Sequence, residues 1–105
     1  MRAGTLRQSI IVEEVTETRT SSGAVTESWA TYATLRARQA ITGGREFTVA
    51  QGLHSELSAL FVCRFKSGVT AKMRVNHGGV YYDILSAYDP VGTGRELQVA
   101  CKVIA

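Results

Sequence analysis

The stretch Leu57-Ser58-Ala59-Leu60-Phe61-Val62-Cys63-Arg64-Phe65-Lys66 decides the fold class. Its odd positions, Leu57, Ala59, Phe61, Cys63 and Phe65, are apolar throughout. Its even positions, Ser58, Leu60, Val62, Arg64 and Lys66, become charged towards the end. Successive side chains of a strand point to opposite faces, so the odd set is expected to face a core. The same alternation closes the chain, where Leu97, Val99, Cys101 and Val103 interleave with Glu96, Gln98, Ala100 and Lys102. Between these two strands, Met73 and Val75 start a shorter one that stops at Asn76-His77-Gly78-Gly79. Val80, Tyr82 and Ile84 then resume the period. Asn-His-Gly-Gly tolerates positive φ and predicts a tight hairpin. Asp89-Pro90-Val91-Gly92-Thr93-Gly94 predicts the next reversal, and Ser67-Gly68 one before both, so three consecutive hairpins are expected. In the first of them Arg64, Lys66, Lys72 and Arg74 would share one outward face.

The first half is looser. Residues 6–15 read as a strand with Leu6, Ile10 and Val12 on one face, and residues 16–23 hold no apolar side chain, predicting a polar hairpin tip. Residues 25–35 form the return strand, anchored on a core face by Trp29, Ala33 and Leu35. Glu27 and Thr31 share that phase, which predicts either a bulge or an exposed outer end. One segment breaks the pattern: in Thr42-Gly43-Gly44-Arg45-Glu46-Phe47-Thr48-Val49-Ala50-Gln51-Gly52-Leu53, Phe47 and Ala50 lie three apart. It predicts one helix of about two turns, with Thr42 as cap and Gly52 as stop. The expected fold is therefore mainly β, a small antiparallel β-barrel of about six strands with one short helix inserted mid-chain, and 1–105 as a single domain.

Composition narrows the classes further. With 45% hydrophobic and 20% charged residues in 105, the chain is too apolar for disorder and large enough for one modest core. No apolar run approaches the ~18 residues of a membrane helix, and the basic N-terminus lacks the apolar region of a secretory signal, so a non-exported domain with no membrane partner is expected. Cys63 and Cys101 fall on strand patterns among apolar neighbours and are expected to be free, buried thiols. His54 and His77 are isolated and read as surface residues, with no ligand spacing for a metal. The net charge of +3 is only mildly basic, and no aromatic interleaves with the cations at base-stacking spacing.

The chemistry-bearing residues do not converge. Cys63 points with Phe61 and Phe65 into the core, where a thiol is inert. Ser21 and Ser22 lack the Gly-x-Ser-x-Gly context of a nucleophile elbow, and adjacent Glu13 and Glu14 face opposite sides of a strand. Gly92-Thr93-Gly94 lacks the lysine of a phosphate loop, and Gly43-Gly44-Arg45 reads as a flexible helix entry more readily than as a phosphate cradle. No enzyme, no catalytic residue, no metal and no cofactor are expected.

The order of features is more specific than any one of them. An N-terminal Met-Arg-Ala-Gly-x-Leu-Arg leads into an Ile-rich strand, followed by Glu27-Ser28-Trp29, Tyr32-Ala33-Thr34-Leu35-Arg36-Ala37 and Gly44-Arg45-Glu46-Phe47. Gly68-Val69-Thr70-x-Lys72-Met73-Arg74-Val75, Gly79-Val80-Tyr81-Tyr82-Asp83-Ile84, Asp89-Pro90 and Arg95-Glu96-Leu97-x-Val99-x-Cys101 complete the series. Over nearly its whole length the chain resembles the head–tail joining (head-closure, or stopper) family of tailed phages, prophages and phage-like gene transfer agents. The resemblance implies a ring of twelve copies at the neck of a particle made in the host cytoplasm. The portal or adaptor protein would lie on the head side and a tail terminator or tail tube protein on the tail side. Genomic DNA would pass through the channel without sequence-specific contact.

The resemblance also implies a channel-facing loop at residues 42–54, here Thr42, Gly43, Gly44, Arg45, Glu46, Phe47, Thr48, Gln51 and His54, with Arg45-Glu46 matching the commonest pair. Thr18, Arg19, Thr20, Ser21 and Ser22 are the candidate docking loop. By sign alone, Arg36, Arg38, Arg64 and Lys66 are candidates to meet Glu13, Glu14 and Glu17 of a neighbouring subunit. Two other readings fit the same residues: another neck component, such as a tail-completion or terminator protein, and a small nucleic-acid-binding β-barrel.

Overall fold

The computed structural model describes residues 8–40, 42–90 and 92–104. In chain order the elements are β1 (Gln8–Arg19), β2 (Val25–Gln39), α1 (Arg45–Leu53), β3 (Ala59–Arg64), β4 (Arg74–His77), β5 (Val80–Tyr88) and β6 (Glu96–Val103). The six strands pair antiparallel in the closed order β1-β2-β3-β6-β5-β4, so the mainly β architecture with one helix matches expectation. β1 closes the ring by pairing with β4 through Ile11–Asn76, Val12–Val75 and Glu13–Arg74.

The lumen is filled by the inward residues of every strand. Ile10, Val12, Ala37, Phe61, Cys63, Val75, Ile84, Leu97, Val99 and Cys101 are buried there, with Phe61 edge-on to His77 and Tyr82. Leu6, expected on this face, lies outside the described residues. The outer face of β3 and β6 is not solvated, because α1 lies on it. Phe47 and Ala50 of α1 pack with Leu57, Leu60, Ala100 and Ala40 in a second cluster. That cover explains why Leu60 is buried although its phase points out of the barrel.

Only two of the three expected hairpins form. β4 and β5 meet in a two-residue turn, with His77 opposite Val80 and positive φ at Gly78 and Gly79. β5 and β6 are joined through a turn in which the Asp89 carboxylate accepts the Gly92 and Gly94 N–H groups at 2.9 and 2.6 Å. The reversal at Ser67-Gly68 does not pair β3 with β4; those strands lie three places apart in the ring. Val69 and Met73 are apolar and pack on the core, which draws residues 65–73 across the end of the barrel. The four cations expected on one face are thereby separated. Phe65, beyond the end of β3, is exposed instead of inward.

The tip expected at residues 16–23 is shorter than that. Thr16, Glu17, Thr18 and Arg19 pair with Ser28, Glu27, Thr26 and Val25, so β1 and β2 continue as a two-stranded ribbon. Beyond Glu13 the ribbon has no further partner strand and projects about 20 Å, six residues at the strand rise. It accounts for the long dimension of the 50 × 27 × 27 Å molecule.

Two packing features generate tests. Gly68 has φ +88°, and a Cβ there would collide with the Tyr32 hydroxyl, which donates to the Ser67 carbonyl at 2.8 Å. Gly68→Ala is expected to destabilise by about 2–3 kcal/mol in denaturant unfolding, from backbone strain and the lost hydrogen bond. Both cysteines are free and buried. Burial, with the Glu96 charge adding, pushes the Cys63 thiol from 9.0 up to about 11; burial, with Asp83 adding, pushes Cys101 higher still. The unfolded chain releases these protons first, so their contribution is intact below about pH 9, and that of Cys63 is lost as pH rises through 11, that of Cys101 at higher pH. The denaturation midpoint is expected to fall across that window, and less steeply in a Cys63→Ala, Cys101→Ala chain.

Candidate functional site

The ribbon meets the barrel at a β-bulge. The β1–β2 register shifts between Val12, opposite Ala33, and Glu13, opposite Thr31, leaving Tyr32 as the extra residue. Tyr32 packs against the core, and every β2 residue on the ribbon side changes phase. The bulge that Glu27 and Thr31 predicted therefore also takes Trp29 out of the core. Expected beneath the sheet, Trp29 is 36% exposed, on the outer face beside Val15 and Glu13.

On that outer face the seam between β1 and β4 carries a built cluster. The Arg74 guanidinium lies 4.1 Å from the Trp29 ring centre and 4.3 Å from that of Tyr81. Its Nε donates to Glu13 Oε1 at 2.6 Å, with the two side chains 21% and 15% exposed. A planar guanidinium suits this site, since it stacks on aromatic faces and keeps N–H groups free for a carboxylate. Sequence reading missed the cluster because Trp29 was assigned inward and Arg74 to a hairpin face.

On the opposite wall, α1 is tied down at both ends. Arg38 Nη2 donates to both Glu46 oxygens, at 2.6 and 2.8 Å, and His54 Nε2 shares a 2.9 Å hydrogen bond with Ser86 Oγ. The N-cap is Gly44, not Thr42, and the helix ends at Leu53, one residue past Gly52, with Phe47 and Ala50 on an apolar floor that includes Leu57 and Leu60. Arg38, Ala40, Gly44, Arg45, Glu46 and Phe47 line a surface hollow of about 200 Å³. Nearby, the Tyr88 hydroxyl is raised above the usual phenol range, by burial first and by the Glu46 charge second.

The remaining expected residues are placed as follows. Thr20, Ser21 and Ser22 form the exposed ribbon tip, where Thr20 N donates to the Ala24 carbonyl and Thr20 Oγ1 lies 2.9 Å from Ser22 Oγ. Thr18 and Arg19 sit on β1 just before it. Of the candidate interface charges, Glu13 and Arg38 form ion pairs within the chain, with Arg74 and Glu46. Glu14 and Glu17 are exposed on the ribbon, and Glu17 directly opposes Glu27. Arg36 is exposed on β2, Arg64 opposes Glu96, and the Lys66 ammonium lies 5.8 Å from the Tyr32 ring centre. Among the described residues no three metal-binding side chains cluster, and no helix is long and apolar enough to cross a membrane.

Comparison with known proteins decides the family. The sequence matches the phage head completion protein family over residues 1–104. The chain belongs to that family. Membership makes it a structural component of a phage or phage-like particle. The fold recurs in the solution structure of protein SF1141 from Shigella flexneri 2a. That match has 22% identity and a TM-score of 0.77, covering 100% of this chain and 98% of the other. It recurs again in a chain of the virion of a native gene transfer agent particle, at 14% identity and a TM-score of 0.64, covering 94% and 96%. No curated protein matches the sequence.

The seam cluster of this phage head completion protein generates a test. Arg74→Ala leaves the half-buried Glu13 carboxylate without its donor and Trp29 without its cover. A loss of about 2 kcal/mol is expected in denaturant unfolding, with a change in Trp29 fluorescence in the folded chain. Arg74→Lys is expected to recover only part of the loss, because an ammonium does not stack between two rings.

Proposed function

We propose that the chain, as one domain over residues 1–105, is a head–tail connector of the head-closure or stopper type. It forms a ring of twelve copies below the portal or adaptor, helps to retain packaged DNA, and offers the tail terminator or tail tube its attachment surface. The observation that carries this reading is the ribbon. An isolated two-stranded ribbon is marginal in water, and residues 20–30 are all exposed, so ordering it contributes little to the barrel's own core. Such an arm is accounted for by a neighbouring protein that it grips.

Docking is assigned to the tip, Thr18, Arg19, Thr20, Ser21 and Ser22. The segment 42–54 moves as a gate only if α1 leaves Leu60 and Ala100. That movement exposes Phe47 at a cost of about 2–3 kcal/mol and breaks the Arg38–Glu46 pair. An outer-wall role for α1 is therefore better supported than a mobile gate. Scattered cations suit a channel through which DNA must slide, since dense phosphate contacts would hold it.

Particles made without this gene, viewed by negative-stain microscopy, are expected to be filled or leaking heads with no attached tails. Normal tailed particles would overturn the connector reading. Salt-dependent DNA binding by the free chain would then support the nucleic-acid-binding alternative. Shortening the ribbon by removing residues 18–25 is expected to leave the barrel folded and abolish tail attachment.

A further inference from the structure

Two exposed patches lie half a turn apart on the barrel. In the closed order β1-β2-β3-β6-β5-β4, α1 covers the β3–β6 seam, and the Trp29–Arg74–Tyr81 stack covers the β4–β1 seam, three strands away in either direction. On α1 the stripe turned away from the barrel is Arg45, Val49, Gly52 and Leu53, with Val49 and Leu53 59% and 65% exposed. We propose that the α1 stripe of one copy seats on the Trp29–Tyr81 wall of the next. This rests on the ring reading above and names its interface.

Three observations support the pairing. Both patches are apolar at the centre, and Ile104 extends the wall beside Tyr81, where its N–H donates to the Tyr81 carbonyl. Their charges are complementary. The stripe carries the exposed cation Arg45, while the facing pair Glu17–Glu27 flanks the wall; Asp83 lies between Arg74 and Lys102 in the sheet, so the surplus of acid is at Glu17 and Glu27. Like charges directly opposed across a ribbon are unfavourable, and a cation from the next copy offsets them.

The third observation is Gly52. A glycine inside a helix is disfavoured relative to most residues, yet nothing in this chain requires one here. A Cβ at Gly52 would meet no atom within 4 Å, and its φ is not positive. Close approach by another chain's side chains gives the glycine a reason. Opposite walls meeting head-to-tail, with a small tilt at each contact, build a large ring instead of a closed dimer.

The test uses particles assembled with a chain carrying Leu53→Cys and Ile104→Cys, at the margins of the two patches, treated with a short bis-maleimide. Cys63 and Cys101 are buried and do not compete. Multimers larger than dimers are expected on a denaturing gel, and only when both substitutions are present. Adding Gly52→Gln is expected to reduce that ladder at least tenfold while raising the Tm of the isolated chain, because glutamine is the better helix former. Tailed particles that contain the protein but give no ladder, or a ladder indifferent to Gly52→Gln, overturn this interface and leave the ring reading standing. Tailed particles that lack the protein overturn both.

Discussion

Closure of the barrel rests on a short seam. β1 meets β4 over three residue pairs, against twelve with β2, and without those three the sheet is an open curl with two exposed edges. Side chains compensate for the brevity of the ladder. Val12 and Val75 meet inside it, while outside it Arg74 clasps Glu13 and is covered by Trp29 and Tyr81. Inner packing and outer ion pair act on the same backbone contacts, so the seam is held from both faces. Two aromatic rings shield the guanidinium–carboxylate pair from water, and shielding makes such a pair stronger than one on an open surface.

The bulge at Tyr32 connects this seam to the arm. One extra residue turns Trp29 outward to cover Arg74 and turns Tyr32 inward, where its hydroxyl holds the Ser67 carbonyl of the crossing segment. The same irregularity therefore closes one end of the barrel, shields the seam and aims the ribbon away from the core. Bulges bend the bulged strand and increase its twist, and here the bend falls where β1 leaves β4.

How much of this was legible in the residues depends on the range of the interaction. Period-two alternation is local, so β3, β5 and β6 and the Asn76–Gly79 turn could be read directly. The helix was legible through Phe47 and Ala50 and its stop through Gly52, one residue short of Leu53, but its start was not, since the N-cap is Gly44 and no side chain caps it. Ser67-Gly68 looked like a hairpin because a turn signal says nothing about which strand follows alongside. Val69 and Met73 were the clue, being apolar residues in what should have been a polar tip. Trp29 was misplaced although the bulge was foreseen, since a single skipped residue reverses every later side chain. Of the candidate residues, Glu13 and Arg38 proved to be engaged within the chain, by partners 61 and 8 residues away. Pairing by sign alone has no means of ranking such partners.

The conserved fold at 14–22% identity implies that few positions carry it, and the lumen indicates which kind. Its residues are interchangeable medium-sized apolar side chains, and cores tolerate such exchange if volume and pattern are kept. The outer walls are under a different constraint. In the ring proposed above, copies that associate with one another without aggregating cannot carry a large uninterrupted apolar face. Small apolar centres fenced by charge satisfy both needs, and both walls here have that form: Val49 and Leu53 beside Arg45, and Trp29 and Tyr81 among Glu17, Glu27 and Asp83. Arg74 belongs to both requirements, closing the barrel seam and, in the proposed ring, holding the aromatic covers that the next copy would meet.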